Sequence, residues 1–113
     1  QLAVFNVLAH NRDDHSKNFS YLMDSQGRWK ISPAYDLTFS SGPRGEQSTM
    51  VMGEGRNPNT IHLLKLADEA KIKKDRAAEI IEATKSSLSK WPRLAKQYGV
   101  SDTNIKLISD KIA

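Results

Sequence analysis

Nine polar residues follow one another from His10 to Asn18: His10, Asn11, Arg12, Asp13, Asp14, His15, Ser16, Lys17 and Asn18. Within this run Arg12-Asp13 is separated by four residues from Asn18, and a further carboxylate, Asp36, follows in Ser32-Pro33-Ala34-Tyr35-Asp36-Leu37. One loop turn can aim a carboxylate and a carboxamide at this spacing into a single cleft. Phosphoryl transfer uses such groups: a carboxylate poises the acceptor hydroxyl, and hard oxygen donors hold Mg²⁺ against the phosphate charge. Two other readings stay open. His10 and His15 with Asp13 and Asp14 could form the metal site of a phosphohydrolase or nuclease, although the third histidine, His62, is far along the chain. Alternatively, Asp13, Asn18 and Asp36 could be turn and cap residues bonded to nearby backbone, in a non-catalytic interaction domain. With no cysteine in the sequence, Cys-ligated zinc, thiol nucleophiles and disulfide frameworks are excluded.

The flanking sequence shows what would hold this loop. Before it, Leu2-Ala3-Val4-Phe5-Asn6-Val7-Leu8-Ala9 is apolar almost all round, which predicts a buried helix. After it, Phe19 to Met23 and Arg28 to Ser32 read as two strands of a β-hairpin, joined by Asp24-Ser25-Gln26-Gly27 and stopped by Pro33. Residues 39–58 are loop-like, containing Gly42, Gly45, Gly53 and Gly55 with Pro43 and Pro58, and Ser48 to Met52 could form a brief strand. Loops this long in a compact domain usually carry function. The remainder is helical in pattern. A helix capped by Asn59 or Thr60 should be followed by one capped by Asp75, running to Tyr98 with a kink at Pro92 and ending at Gly99. A last helix should be capped by Ser101 or Asp102. Trp29, Trp91 and Tyr98 fall at core spacing. The fold class is therefore α+β, mainly α, in three stretches: residues 1–38 (helix, loop, hairpin and Asp36), 39–58 (Gly-rich loop) and 59–113 (helical).

At 113 residues the chain is one domain at most, and its start at Gln1 inside an apolar pattern suggests a part of a longer protein. No apolar run approaches the roughly 18 residues of a membrane helix and no signal peptide is visible, so no membrane partner is expected and a cytoplasmic location is the simplest one. The net charge of +4 arises after residue 57, where eleven Lys/Arg face seven Asp/Glu. There Lys65, Lys71, Lys73, Lys74, Lys90 and Lys96 alternate with Asp68, Glu69, Glu79 and Glu82, a solvated helical surface rather than a nucleic-acid footprint.

The order R-D-x-x-x-x-N, hairpin, Asp, Gly-rich loop is that of the protein-kinase catalytic loop, its hairpin, the second metal-binding Asp and the activation segment. More narrowly, N-x-D-D-H-x-K-N-F with S-P-A-Y-D-L-T after a hairpin resembles the C-terminal region of HipA-type serine/threonine kinases, toxins of type II toxin–antitoxin systems. The motif covers residues 11–38, and the Gly-rich loop and the helices up to Trp91 look similar as well. The resemblance implies a fragment of a kinase-like C-lobe and a kinase that uses ATP and Mg²⁺. It implies Asp13 as catalytic base, Asn18 and Asp36 as metal ligands, and His15, Ser16, Lys17 and Tyr35 along the nucleotide phosphates. Its implied partners are a protein substrate (a translation factor or an aminoacyl-tRNA synthetase) and a HipB-like antitoxin, with nucleic acid reached only through the antitoxin. No N-lobe, phosphate-covering loop or ATP-gripping Lys is recognisable here, so the chain by itself is expected to be inactive. Asp36-Leu37-Thr38 departs from the kinase D-F-G, and regulation through that Phe does not carry over.

Overall fold

The computed structural model describes residues 1–112. Its elements run α1 (Leu2–Leu8), a 3-10 turn (Ser16–Asn18), β1 (Tyr21–Met23), β2 (Trp29–Ile31), a second 3-10 turn (Pro43–Gly45), then α2 (Thr60–Glu69), α3 (Lys74–Leu88), α4 (Trp91–Gln97) and α5 (Asp102–Ser109). The mainly α, α+β class holds. β1 and β2 pair antiparallel, with Tyr21 opposite Ile31 and Met23 opposite Trp29. The turn between them is closed by Asp24, whose carboxylate accepts from the backbone N–H of Gln26 and Arg28.

The core gathers Leu8 of α1, Val51 of the long loop, Leu63 of α2 and Ile81 of α3, flanked by Val4, Val7, Leu66 and Leu88. These are the inward positions of each helical pattern: Ala77 and Ile81, four apart, are the buried residues of α3. α1 is less enclosed than its sequence predicts. Only Asn6 and Leu8 are buried within it, and Leu2 and Phe5 line an open groove of about 620 Å³ with Leu37 and Ile80.

Other expectations are corrected. The helix meant to run from Asp75 to Tyr98 is two helices separated at Ser89-Lys90. Pro92 sits in the first turn of α4, where its missing N–H costs nothing, so it starts a helix instead of kinking one. The cap of α3 is Lys73, with no side-chain bond, and Asp75 lies in the first turn, where its charge still favours the helix N-terminus. Asn59 and Ser101 do cap α2 and α5, accepting from Ile61 N–H and Asn104 N–H, and Gly99, at φ 81°, follows α4. Ser48 to Met52 form no strand: a single bridge joins Val51 to Glu54. Trp29 and Tyr98 are 68% and 81% exposed, and Trp91 alone of the three is partly buried, its indole N–H donating to Ile105 O. The hairpin has only two strands, so Tyr21, Met23, Trp29 and Ile31 share one face that nothing among the described residues covers.

Candidate functional site

The polar loop leaves α1 through a left-handed His10 (φ 56°). This conformation costs less for His, Asn or Asp than for bulky residues. The His10 ring is buried against Phe39, with centroids 5.3 Å apart. Burial pulls its pKa below the usual 6.5, and the nearby Arg12 and Lys111 charges add to the effect.

From there the loop is held on both sides by the chain that follows the hairpin. Arg12 N–H donates to Ser40 O (3.1 Å) and Ser40 N–H to His10 O (2.9 Å); on the other side Ser48 N–H donates to Arg12 O (2.9 Å). Side chains reinforce this backbone pairing. Asp14 is buried and accepts from Thr49 N–H (3.0 Å), while the Thr49 hydroxyl donates to Asp14 O (2.6 Å). Gln47 donates to Asn11 O (3.0 Å), and the Arg12 guanidinium reaches Gly45 O. Gly42 is required here. At φ 71° it packs so close to Arg12 that a Cβ would lie 2.6 Å from Arg12 Cβ. The Gly-rich stretch is thus docked onto the candidate catalytic loop.

Asn18 ends the 3-10 turn, and its Nδ2 donates to the carbonyl of Asp13 (3.2 Å). That bond closes the loop across the five-residue spacing and leaves Asn18 Oδ1 as the free acceptor. Asp36 returns beside it. Tyr35 fastens the return: its hydroxyl donates to Lys17 O (3.1 Å) and lies 2.7 Å from Ser20 Oγ. Asp36 itself is left-handed (φ 54°), a backbone state that clusters at functional positions. Asn18, Tyr35 and Asp36 line one small crevice with Asn6, Asn11 and Asp14, floored by Leu2, Phe19 and Leu37.

Asn18 and Asp36, 18 residues apart in sequence, thus line the same crevice. The expected single cleft for Asp13 and Asn18 is not found: Asp13 is exposed and does not line the crevice. Ser16 and Lys17 are exposed on the 3-10 turn, and His15 is half-buried, with its Nδ1 enclosed and unbonded. Tyr35 acts first as the clamp between hairpin base and Asp36. The His-Asp metal reading fails. His10 turns to Phe39, and among the described residues no three His, Cys, Asp or Glu side chains gather as a metal site. Sequence reasoning overlooked Asn6 and Asn11. Asn11 Nδ2 donates to Asn6 Oδ1 (3.0 Å), and both residues are buried. A signal was present, because Asn6 is the one polar residue of an otherwise apolar helix.

The donor set suits a hard cation. Asn18 and Asp36, which both line the crevice, carry an amide oxygen and a carboxylate, groups that Mg²⁺ accepts with water or phosphate oxygens completing its octahedron.

Residues 1–91 match the family described as HipA-like C-terminal domain. A protein of Sinorhizobium fredii named "Putative kinase Y4mE" is 54% identical over 35 residues, which is 31% of this chain and 8% of that protein. No solved structure matches the chain. With four-fifths of its length matched, the chain belongs to the HipA-like C-terminal domain family.

Proposed function

We propose that this chain forms the catalytic part of a HipA-like serine/threonine protein kinase that moves the ATP γ-phosphate to a protein hydroxyl, as the toxin of a toxin–antitoxin module. The observation carrying this reading is the crevice shared by Asn18 and Asp36, with Asn18 tied to the backbone of Asp13. Family membership and the kinase name of the S. fredii relative support it. Asp13 accepts the proton of the attacking Ser or Thr hydroxyl and orients it; its exposure leaves room for a protein substrate. Asn18 Oδ1 and the Asp36 carboxylate are the groups that would hold Mg²⁺, which neutralises phosphate charge when bound. His15, Ser16 and Lys17 line the phosphates from the adjoining turn, and Tyr35 keeps Asp36 in place. The partners in this reading are a protein substrate and a HipB-like antitoxin.

The test uses the full-length protein with labelled ATP and Mg²⁺. Phosphate should appear on protein serine or threonine, and Asp13→Ala should reduce transfer by about 10²–10⁴-fold with its circular dichroism unchanged. Near-normal transfer by Asp13→Ala contradicts the assignment of the base. Release of inorganic phosphate from phosphoesters without ATP would make the protein a phosphohydrolase instead.

A further inference from the structure

Asp13 is exposed, so its carboxylate takes its place from the main chain that carries it. That stretch, Arg12 to His15, belongs to no helix or strand. Bonds to three successive carbonyls fix it instead. Arg12 O accepts from Ser48 N–H (2.9 Å), Asp13 O from Asn18 Nδ2 (3.2 Å), and Asp14 O from the Thr49 hydroxyl (2.6 Å). Thr49 grips Asp14 a second time, its N–H donating to the buried carboxylate (3.0 Å). Two bonds to one residue, one at the main chain and one at the side chain, stop Asp14 from pivoting. Thr49 is itself anchored. Two residues on, Val51 packs in the core with Leu8, Leu63 and Ile81, and its backbone is paired with Glu54 in both directions (2.9 and 3.0 Å). Thr49 is exposed, so its side chain is not there to fill the core. Its β-branch restricts χ1 and so aims the hydroxyl.

We infer that Thr49 is a positioning residue for Asp13: its hydroxyl fixes the Asp14 carbonyl and, through that peptide, the main chain from which the Asp13 carboxylate hangs. The hydroxyl is spent on Asp14 and touches no substrate. An Asp side chain is short, so a shift of its backbone is a shift of the base, and a displacement of about 1 Å can cost about 10²-fold in rate. The Gly-rich loop then has a task of its own. Tyr35, bonded to Lys17 O and Ser20, ties the return of Asp36 to the base of the hairpin, whereas Thr49 holds the candidate base from the opposite strand of chain. Loss of the Thr49 hydroxyl should therefore slow transfer while nucleotide and metal still bind. This inference rests on the kinase reading of Asp13. It adds that the base is placed by a residue of the loop that follows the hairpin.

The experiment measures phosphate transfer from labelled ATP by the full-length protein, with kcat and the KM for ATP taken separately. Thr49→Val keeps the shape and the N–H bond to Asp14 but has no hydroxyl; Thr49→Ser keeps the hydroxyl. Thr49→Val should lower kcat by about tenfold or more with KM within about threefold, and Thr49→Ser should hold kcat within about threefold of the wild type. In an Asp13→Ala background Thr49→Val should lower the residual transfer no further, because residues that act as a unit are not additive. If Thr49→Val does not fold, Thr49→Ala takes its place in each comparison. Wild-type kcat in Thr49→Val overturns the inference. So do equal losses in the Val and Ser variants, a KM that rises as much as kcat falls, or a further loss in the Asp13→Ala background. Asp13→Ala alone tells the two failures apart. If it loses transfer while Thr49→Val does not, the inference fails and the kinase site stands. If Asp13→Ala transfers phosphate as the wild type does, the site reading fails and takes the inference with it.

Discussion

At the scale of single residues, the division of labour between Asp13 and Asp14 comes from what each touches. They are adjacent in sequence, but Asp14 is buried and bonded to Thr49, whereas Asp13 is exposed. Replacing Asp14 with Ala leaves the Thr49 N–H without its acceptor, a loss of about 1–3 kcal/mol. Urea denaturation should show that loss, while Asp13→Ala should leave the midpoint nearly unchanged. His10 gives a pH signature. Its folded pKa lies below its unfolded value of 6.5, so the unfolded chain takes up the proton first. Stability is complete above about pH 6.5 and falls as the pH drops toward the lowered folded value. In His10→Gln that part of the acid slope should vanish from melting curves taken between pH 7 and pH 5. The sequence made Asp13, Asn18 and Asp36 legible because their offsets are themselves the signal. It did not reveal Asn11, whose buried bond to Asn6 is a contact that spacing cannot report.

At the scale of elements, the helices and the hairpin could be read from period and turn chemistry, but their ends depended on competition. Pro92 was legible as a break; whether it kinks or starts a helix is decided by the Ser89-Lys90 separation, which no local pattern announces. The Gly-rich loop was legible only as a loop. Its fold comes from non-local pairing with residues 10–14, and period-based reading sees no such pairing. Gly42 is its most sensitive point. Gly42→Ala places a methyl against Arg12 and the Glu46 carbonyl, at a φ that L side chains rarely adopt. This substitution should undock residues 40–49 from the polar loop that begins at His10. Amide exchange at Arg12 and Ser48, whose N–H groups are bonded across this pairing, should become faster, whereas the α2–α3 amides should keep their protection. Unchanged exchange at both positions would show that the loop is held by other contacts.

At the scale of the whole molecule, the chain is extended for its length. Its radius of gyration is 15.5 Å, against about 13 Å for a compact domain of this size, and its core is small. Ile81→Ala should then cost about 2–5 kcal/mol, a large share of an ordinary domain's stability, and should unfold the 113-residue chain at room temperature. The described residues include the crevice, the exposed Asp13 and the 3-10 turn Ser16–Asn18. None of the described helices is long and apolar enough to cross a membrane. The central claim is that Asn18 and Asp36, brought together by the hairpin, hold one metal ion with the nucleotide. Its most direct test is the stoichiometry of Mn²⁺ bound with ATP analogue to the full-length protein, wild type against Asn18→Ala and Asp36→Ala. Each variant should bind the metal at least about tenfold more weakly with its fold intact. Wild-type Mn²⁺ affinity in either variant would contradict the account.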